Sequence, residues 1–205
     1  MKKIALLVIL SIAGVFTYYF FYSKKDKTKD TPVKQQPATV SKYSSEFNNS
    51  IEKVLKNYYT LSEALVNWDT VQVNMQAAAL QTSIAQVRFD DLKNDTIIHQ
   101  TATSYVDGFN TDLNTISVNP EITAKRQAFY AFSQNFYDLL RTVQYNSSTV
   151  FMQECPMAFN DNEPGIWLSA QREIRNPYLG TKHPKYKSGM LECGETKDSL
   201  NFKDQ

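Results

Sequence analysis

Histidine, cysteine and tryptophan occur only twice each in this 205-residue chain, and glycine only six times. A zinc site would need all four of the histidines and cysteines, and His99 lies far in sequence from the cysteines. No Cys-x-x-Cys dithiol is present for disulfide exchange. No glycine-rich phosphate loop and no Ser-His-Asp order occur either. Acidic residues are plentiful but spread along polar helical faces, where solvation accounts for them. A non-enzymatic role is therefore expected. An excess of charge of one sign is also missing, since 22 basic and 21 acidic residues leave a net charge of +1. The basic residues are scattered singly, without the clustered face that a phosphate backbone requires. No nucleic-acid partner is expected.

A long apolar run occurs once. Lys2 and Lys3 precede an uncharged stretch over residues 4–23, which closes on Tyr18, Tyr19, Phe20, Phe21 and Tyr22 before Lys24 and Lys25. About 20 uncharged residues span a bilayer as a helix, and aromatic ends favour the interface. A cleavable signal would show a shorter apolar core and a small-x-small site. Residues 1–23 are therefore read as an uncleaved transmembrane anchor, with a cleaved signal as the alternative. The lysine-led start places the body in the periplasm, or an equivalent extracytoplasmic space, held to the inner membrane. Without Lys2 and Lys3 that body has 20 basic and 21 acidic residues, so it has no charge with which to seek acidic lipid.

Residues 24–44 are Lys, Asp, Thr, Pro and Gln with hardly an apolar side chain, a composition that cannot offset the entropy of ordering. They read as a flexible linker. Helical periodicity follows over residues 45–146. Phe47, Ile51, Val54, Tyr58, Leu61, Leu65 and Trp68 recur at three- and four-residue spacing. Asp69 with Gln72 forms a capping-box pattern opening a second helix through Val73, Ala77, Leu80, Ile84 and Val87. A third stripe runs through Ile98, Ala102, Tyr105, Phe109 and Ile116, with Gly108 as a weak point inside it. Asn119-Pro120 reads as a cap and first helical residue for a fourth helix on Ile122, Phe129, Phe132, Phe136, Leu139 and Val143. Four such helices on short links predict a mainly α fold, an antiparallel four-helix bundle. The aromatic stripes are read as core.

Beyond Tyr145 the pattern breaks. Residues 149–153 are β-prone, and residues 155–194 hold Pro156, Pro164, Gly165, Pro177, Gly180, Pro184, Gly189 and Gly194. Residues 147–205 therefore read as a loop-rich C-terminal cap with short strands, on which Trp167 is the expected anchor to the bundle. With little core of its own, such a cap needs a disulfide or a metal. Both cysteines lie in it, each near a methionine, as Cys155-Pro-Met157 and Met190-Leu-Glu-Cys193.

Several ordered blocks of the cap resemble the DUF3347 family: Cys155-Pro-Met157-Ala158, Trp167-Leu-Ser169, Glu173-Ile-Arg-Asn-Pro-Tyr178 and Met190-Leu-Glu-Cys193-Gly194. Tyr58-Thr-Leu-Ser-Glu-Ala-Leu65 and Arg126-Gln-Ala-Phe129 extend the likeness into the helices, over residues 45–196 as one domain. The resemblance implies an exported domain that also occurs attached to periplasmic adaptor subunits of heavy-metal efflux pumps. A role in metal homeostasis follows from it by association. One departure is the stretch over residues 179–189, which lengthens the path between the sulfur pairs and adds His183.

Two readings of the sulfur residues stand side by side. In the first, Cys155 and Cys193 as thiolates and Met157 and Met190 as thioethers hold a soft ion, Cu(I) above all, with His183 as a weaker fifth candidate. Strand alternation would put Cys155 and Met157 on one side, and a turn would join Met190 to Cys193. A copper-binding accessory of an efflux system, passing metal to an adaptor or transfer protein, would result. In the second, Cys155 and Cys193 form a disulfide, which suits an oxidising compartment and a count of two. Closing a loop of about 39 residues contributes roughly 4 kcal/mol on the chain-entropy model. The methionines are then core filler, and the domain is an interaction module that binds no metal. A pair that switches between both states is a further option, since copper needs free thiolates. His99 and Met152 read as boundary and core residues. Arg175 in the Asn-Pro-Tyr block is read as shaping a turn and pairing with a carboxylate.

Overall fold

A computed structural model of the protein describes residues 42–202, and these belong to one compact unit. The anchor read over residues 1–23 and the linker over 24–41 lie outside the described residues. Among the described residues no helix is long and apolar enough to cross a membrane.

Helix formation begins where apolar periodicity begins. The Ser44 hydroxyl accepts the Phe47 N–H at 3.0 Å and caps α1, Ser45–Val66. Phe47, Ile51, Val54, Leu55, Tyr58, Leu61 and Leu65 are its buried face. The helix stops on a left-handed residue, Trp68 at φ 57°, and the Asp69 N–H returns to the Ala64 carbonyl at 3.1 Å. The same Asp69 opens α2, Thr70–Ala85, by accepting the Gln72 N–H at 3.0 Å. One aspartate thus closes one helix and starts the next, which keeps the link short and folds α2 back on α1. A 3₁₀ turn over Phe89–Leu92 then leads to Asp95, whose carboxylate accepts the Ile98 N–H at 3.1 Å and caps α3, Thr96–Val118. The last helix, α4, spans Ile122–Thr142.

The start of α4 differs from the sequence reading by two residues. Asn119 ends α3 and its side-chain carbonyl accepts the Glu121 N–H at 2.9 Å, so Pro120 sits in an Asx turn and Glu121 is the N-cap. The local side-chain bond outcompetes the helix there. Each helix packs on the one before it. Side chains of α1 and α4 meet through Tyr58, which stacks on Phe129 and Phe132 with centroids 5.1 and 6.0 Å apart.

The cap is a three-stranded antiparallel sheet in the order β2-β1-β3, from Val150–Phe159 (β1), Glu163–Ser169 (β2) and Glu195–Leu200 (β3). The polar β3 (ETKDSL) was not expected as a strand. It is an edge strand with only Leu200 buried, so period-2 hydrophobicity never marks it. Pro156 lies in the central strand, where a missing N–H would break a ladder. The strand accommodates it because β3 pairs only as far as Glu154, and the β1–β2 register shifts between Cys155 and Phe159.

One continuous hydrophobic cluster runs from Phe47 to Leu200, so helices and cap share a core. Trp167 is buried, and its ring packs against Tyr178 inside the cap. Trp167 belongs to the core cluster shared with the helices, and a tyrosine of the helices adds a polar link. The Tyr58 hydroxyl accepts the Leu168 N–H of β2 at 3.0 Å and lies 2.7 Å from the Ser133 hydroxyl. Ser133 donates to the Phe129 carbonyl at 2.7 Å, so Tyr58 is the donor to Ser133. Every proton in this buried chain has one place to go. Burial is the main reason the Tyr58 phenol is pushed well above its ordinary pKa, and it stays protonated.

Tyr58→Phe leaves the buried Leu168 N–H unpaired, a cost of about 2 kcal/mol. A fall in Tm of roughly 4–8 °C is expected by differential scanning calorimetry. Gly108 behaves oppositely. It lies inside α3, and the nearest atom to a Cβ built there is the Asn135 amide nitrogen at 3.8 Å. Gly108→Ala should raise stability by about 0.5–1 kcal/mol in urea unfolding, through helix propensity alone.

Candidate functional site

The cap places the two cysteines together. Cys155, fully buried opposite Gly165 on β1, is joined to Cys193 by a disulfide with Cα atoms 5.6 Å apart. Cys193 follows consecutive turns in which the Leu191 N–H meets the Ser188 carbonyl at 3.2 Å and the Cys193 N–H meets the Met190 carbonyl at 3.1 Å. Gly194 follows at φ 142°, and a Cβ there would stand 2.8 Å from both the Glu154 carbonyl and the Trp167 ring. Only glycine lets the chain turn from the disulfide straight onto β1 as β3.

Asn176 ties the same region from the other side, and reading it as a mere turn former understates it. Its amide nitrogen donates to the Cys193 carbonyl at 2.8 Å, and its side-chain oxygen accepts the N–H groups of Tyr178 and Leu179 at 2.8 and 3.0 Å. The Asn176 N–H also reaches the Leu191 carbonyl at 2.9 Å. Fully buried, Asn176 uses both ends of its amide to fix the Asn-Pro-Tyr turn against the disulfide loop. Arg175 makes the carboxylate pair read from the sequence: Nε and Nη2 meet the two oxygens of Glu63 on α1 at 3.0 and 2.5 Å. The Arg175 guanidinium holds the Glu63 carboxyl below its ordinary pKa. That pair is half exposed, so it orients the loop more than it stabilises the fold.

The remaining sulfur and imidazole candidates separate. Met157 and Met190 are partly buried and pack against the core cluster. The register shift falls between Cys155 and Phe159, so the alternation that would put Cys155 and Met157 on one side is interrupted. Ala158, not Met157, is the next buried residue of β1 after Cys155. His183 has other neighbours: its ring stacks on Tyr186 with centroids 5.0 Å apart and meets the edge of Trp68 at 5.9 Å. Its Nδ1 accepts the Lys185 and Tyr186 N–H groups at 3.3 and 3.2 Å. Desolvation first, and the Arg126 charge second, hold the His183 pKa below its ordinary value. Among the described residues no three His, Cys, Asp or Glu side chains converge as a metal site.

Where the Asn-Pro-Tyr turn meets the end of α1, a second polar cluster appears that the sequence reading did not single out. Arg126 of α4 is 4% exposed, and no carboxylate among the described residues pairs with it. Its Nε donates to the Pro177 carbonyl at 2.9 Å and its Nη2 to the Leu65 carbonyl at 3.1 Å. The guanidinium lies 3.9 Å from the centre of the Trp68 ring. Trp68 in turn donates its indole N–H to the Leu179 carbonyl at 2.9 Å. Gly180 passes so close beneath that a Cβ would come within 2.3 Å of the Val66 carbonyl, at φ 57°. The negative end of the α1 macrodipole and the Trp68 face offset the buried charge. The signal for this cluster was the Arg126-Gln-Ala-Phe129 block, whose arginine sits one turn from apolar positions of the α4 stripe.

Residues 54–148, most of the helical segment, match the family model of DUF3347, a protein of unknown function. The match ends before β1, so Cys155, Met157, Met190 and Cys193 lie beyond it. No curated protein and no solved structure matches the chain.

Reducing the disulfide, or replacing Cys193 by Ser, frees a loop with a sequence separation of 38 and should destabilise the protein by roughly 4 kcal/mol. Thermal unfolding followed by far-ultraviolet circular dichroism, with and without dithiothreitol, checks this. The Cys193→Ser protein should unfold at the same temperature in both conditions.

Proposed function

We propose that the protein is a non-enzymatic, disulfide-stapled interaction module that docks on a partner in an oxidising, extracytoplasmic compartment. The observation that carries this reading is the outer face of α2. All 16 residues of that helix are uncharged, and Val71 and Met75 are 66% and 57% exposed. Val71, Met75, Ala78 and Thr82 recur at i, i+4, i+7 and i+11, all exposed, along one ridge. A solvated helix normally places charges there. An uncharged ridge at this spacing fits the groove of another amphipathic helix, whose apolar seam would meet no charge to desolvate.

The partner of this reading is a helix of an efflux adaptor subunit, following the resemblance of the chain to exported and adaptor-attached domains. In this reading the apolar stretch over residues 1–23 serves as the membrane anchor. The disulfide supports the compartment, because such bonds persist where thiols are not kept reduced.

The soft-metal reading of Cys155, Met157, Met190 and Cys193 belongs to the reduced form alone, since a disulfide offers no thiolate. Two measurements test the proposal together. Met75→Glu should leave Tm within about 1 °C of the parent. It should abolish binding of the adaptor in detergent-solubilised pull-downs. Loss of self-association instead, seen by analytical ultracentrifugation, would mean that a second copy occupies the face. In competition with a chromophoric Cu(I) chelator, neither the oxidised nor the reduced protein should withdraw metal. Stoichiometric uptake by the reduced form would replace the docking reading with a copper-binding one.

A further inference from the structure

Arg126, 4% exposed, lies on the lining of a cleft. That cleft, about 510 Å³, is bounded by the first turns of α4, by the β1–β2 turn and by the loop at His183. Trp68, Phe159 and Tyr178 form its apolar walls, and Thr123 and Gln127 lie on its rim. Its volume lies within the range of small-molecule sites.

Arg126 has five N–H donors in a planar fork. The backbone takes one from Nε and one from Nη2, while Nη1 has no acceptor among the described residues. Nη1 is not among the enclosed side-chain atoms left without a partner, so this edge of the guanidinium is open to solvent, and the cleft is the space beside it. Burial pushes the Arg126 pKa down to about 9, so it remains charged at neutral pH. His183 adds a second donor to the same cleft. Its Nδ1 accepts two backbone N–H groups, which leaves the ring proton on Nε2. The one acid on the lining, Asp161, is held by the Lys185 ammonium and by the Tyr186 hydroxyl at 2.8 Å. Its charge is therefore already offset.

The backbone at the cleft is strained in a way that keeps the site in shape. Trp68 sits at φ 57°, a region that costs a bulky residue free energy. It is kept there by its indole hydrogen bond to Leu179, by the Arg126 guanidinium over its face and by His183 at its edge. These contacts present one cationic fork beside an aromatic wall without any ligand having to assemble them.

We infer that this cleft binds a small organic monocarboxylate with an apolar body, its carboxylate on Arg126 and its body against Trp68 and Phe159. A planar fork matches a carboxylate, and the aromatic walls match an alicyclic or aryl group. A dianion such as phosphate would carry a second charge that one guanidinium does not offset, since the Lys185 ammonium is taken up by Asp161. This goes beyond the docking reading, since α2 and its exposed face take no part in it.

The test uses the full chain in a nonionic detergent micelle, titrated with cyclohexanecarboxylate and, in parallel, with neutral cyclohexanecarboxamide. TROSY NMR follows the indole N–H resonances of Trp68 and Trp167, the only two tryptophans. Expected is a saturable shift of Trp68 with the acid, no shift with the amide, and a Trp167 resonance that stays in place. Arg126→Lys should abolish the response, but it also removes backbone bonds and can unfold the protein. Thr123→Glu, on an exposed position one turn before Arg126, supplies an internal carboxylate without touching the core. It should weaken binding at least about tenfold at unchanged or higher Tm. An equal response to the amide, full affinity in Thr123→Glu, or no saturable shift of Trp68 would each overturn the inference.

Discussion

A single buried hydroxyl sets the relation of the helices to the sheet. Tyr58 of α1 stacks on two phenylalanines of α4, donates a hydrogen bond to Ser133 and accepts one from the Leu168 N–H of β2. Leu168 lies on the edge strand β2, and its N–H, bound to the tyrosine, would otherwise be unpaired. Placing β2 anywhere else would leave a donor stranded in a dry core. Position and orientation of the cap thus follow from one satisfied chain of hydrogen bonds. Hydrophobic burial supplies the driving force but has no comparable directionality.

Around that contact, two further fastenings hold the loops that the cap cannot pack by itself. The disulfide and Asn176 lock the stretch before β3, and glycine at position 194 allows the chain to leave the lock in the right direction. Arg126, Trp68 and Gly180 lock the opposite end of the Asn-Pro-Tyr turn to the terminus of α1. Tyr178 lies between the two fastenings, with rings of Phe129, Phe159 and Trp167 around it. The cap has almost no interior of its own, and the turn formers that make it loop-rich are pinned from both sides.

The helices were legible because their signals are local. Asp69 before Gln72, and apolar residues at three- and four-residue spacing, act within a few turns of chain, and α1, α2 and α3 follow them. The start of α4 was less legible, because Asn119 spends its side chain on the turn instead of on the helix. β3 could not be read at all: its six residues are mostly exposed, and the partner that makes them a strand lies about 45 residues away. In the cap, the closeness of Met190 to Cys193 was a local matter and is present. The alignment of Met157 with Cys155 depended on an uninterrupted ladder, and the register shift removed that condition. His183 came out beside Trp68 and Arg126 because the long turn carries it across to the end of α1.

By itself, the sequence determined four amphipathic helices, the place where helical periodicity gives way to a turn-rich cap, and the presence of just two thiols in that cap. Each of these depends on residues close together in the chain, or on counting. Tertiary structure decided that the two thiols are joined, that Tyr58 makes a polar link between cap and helices, and that Arg126 lines a cleft with one edge of its fork unused. These outcomes depend on which buried donors and acceptors meet across more than 30 residues of chain, and composition and periodicity carry no record of such meetings.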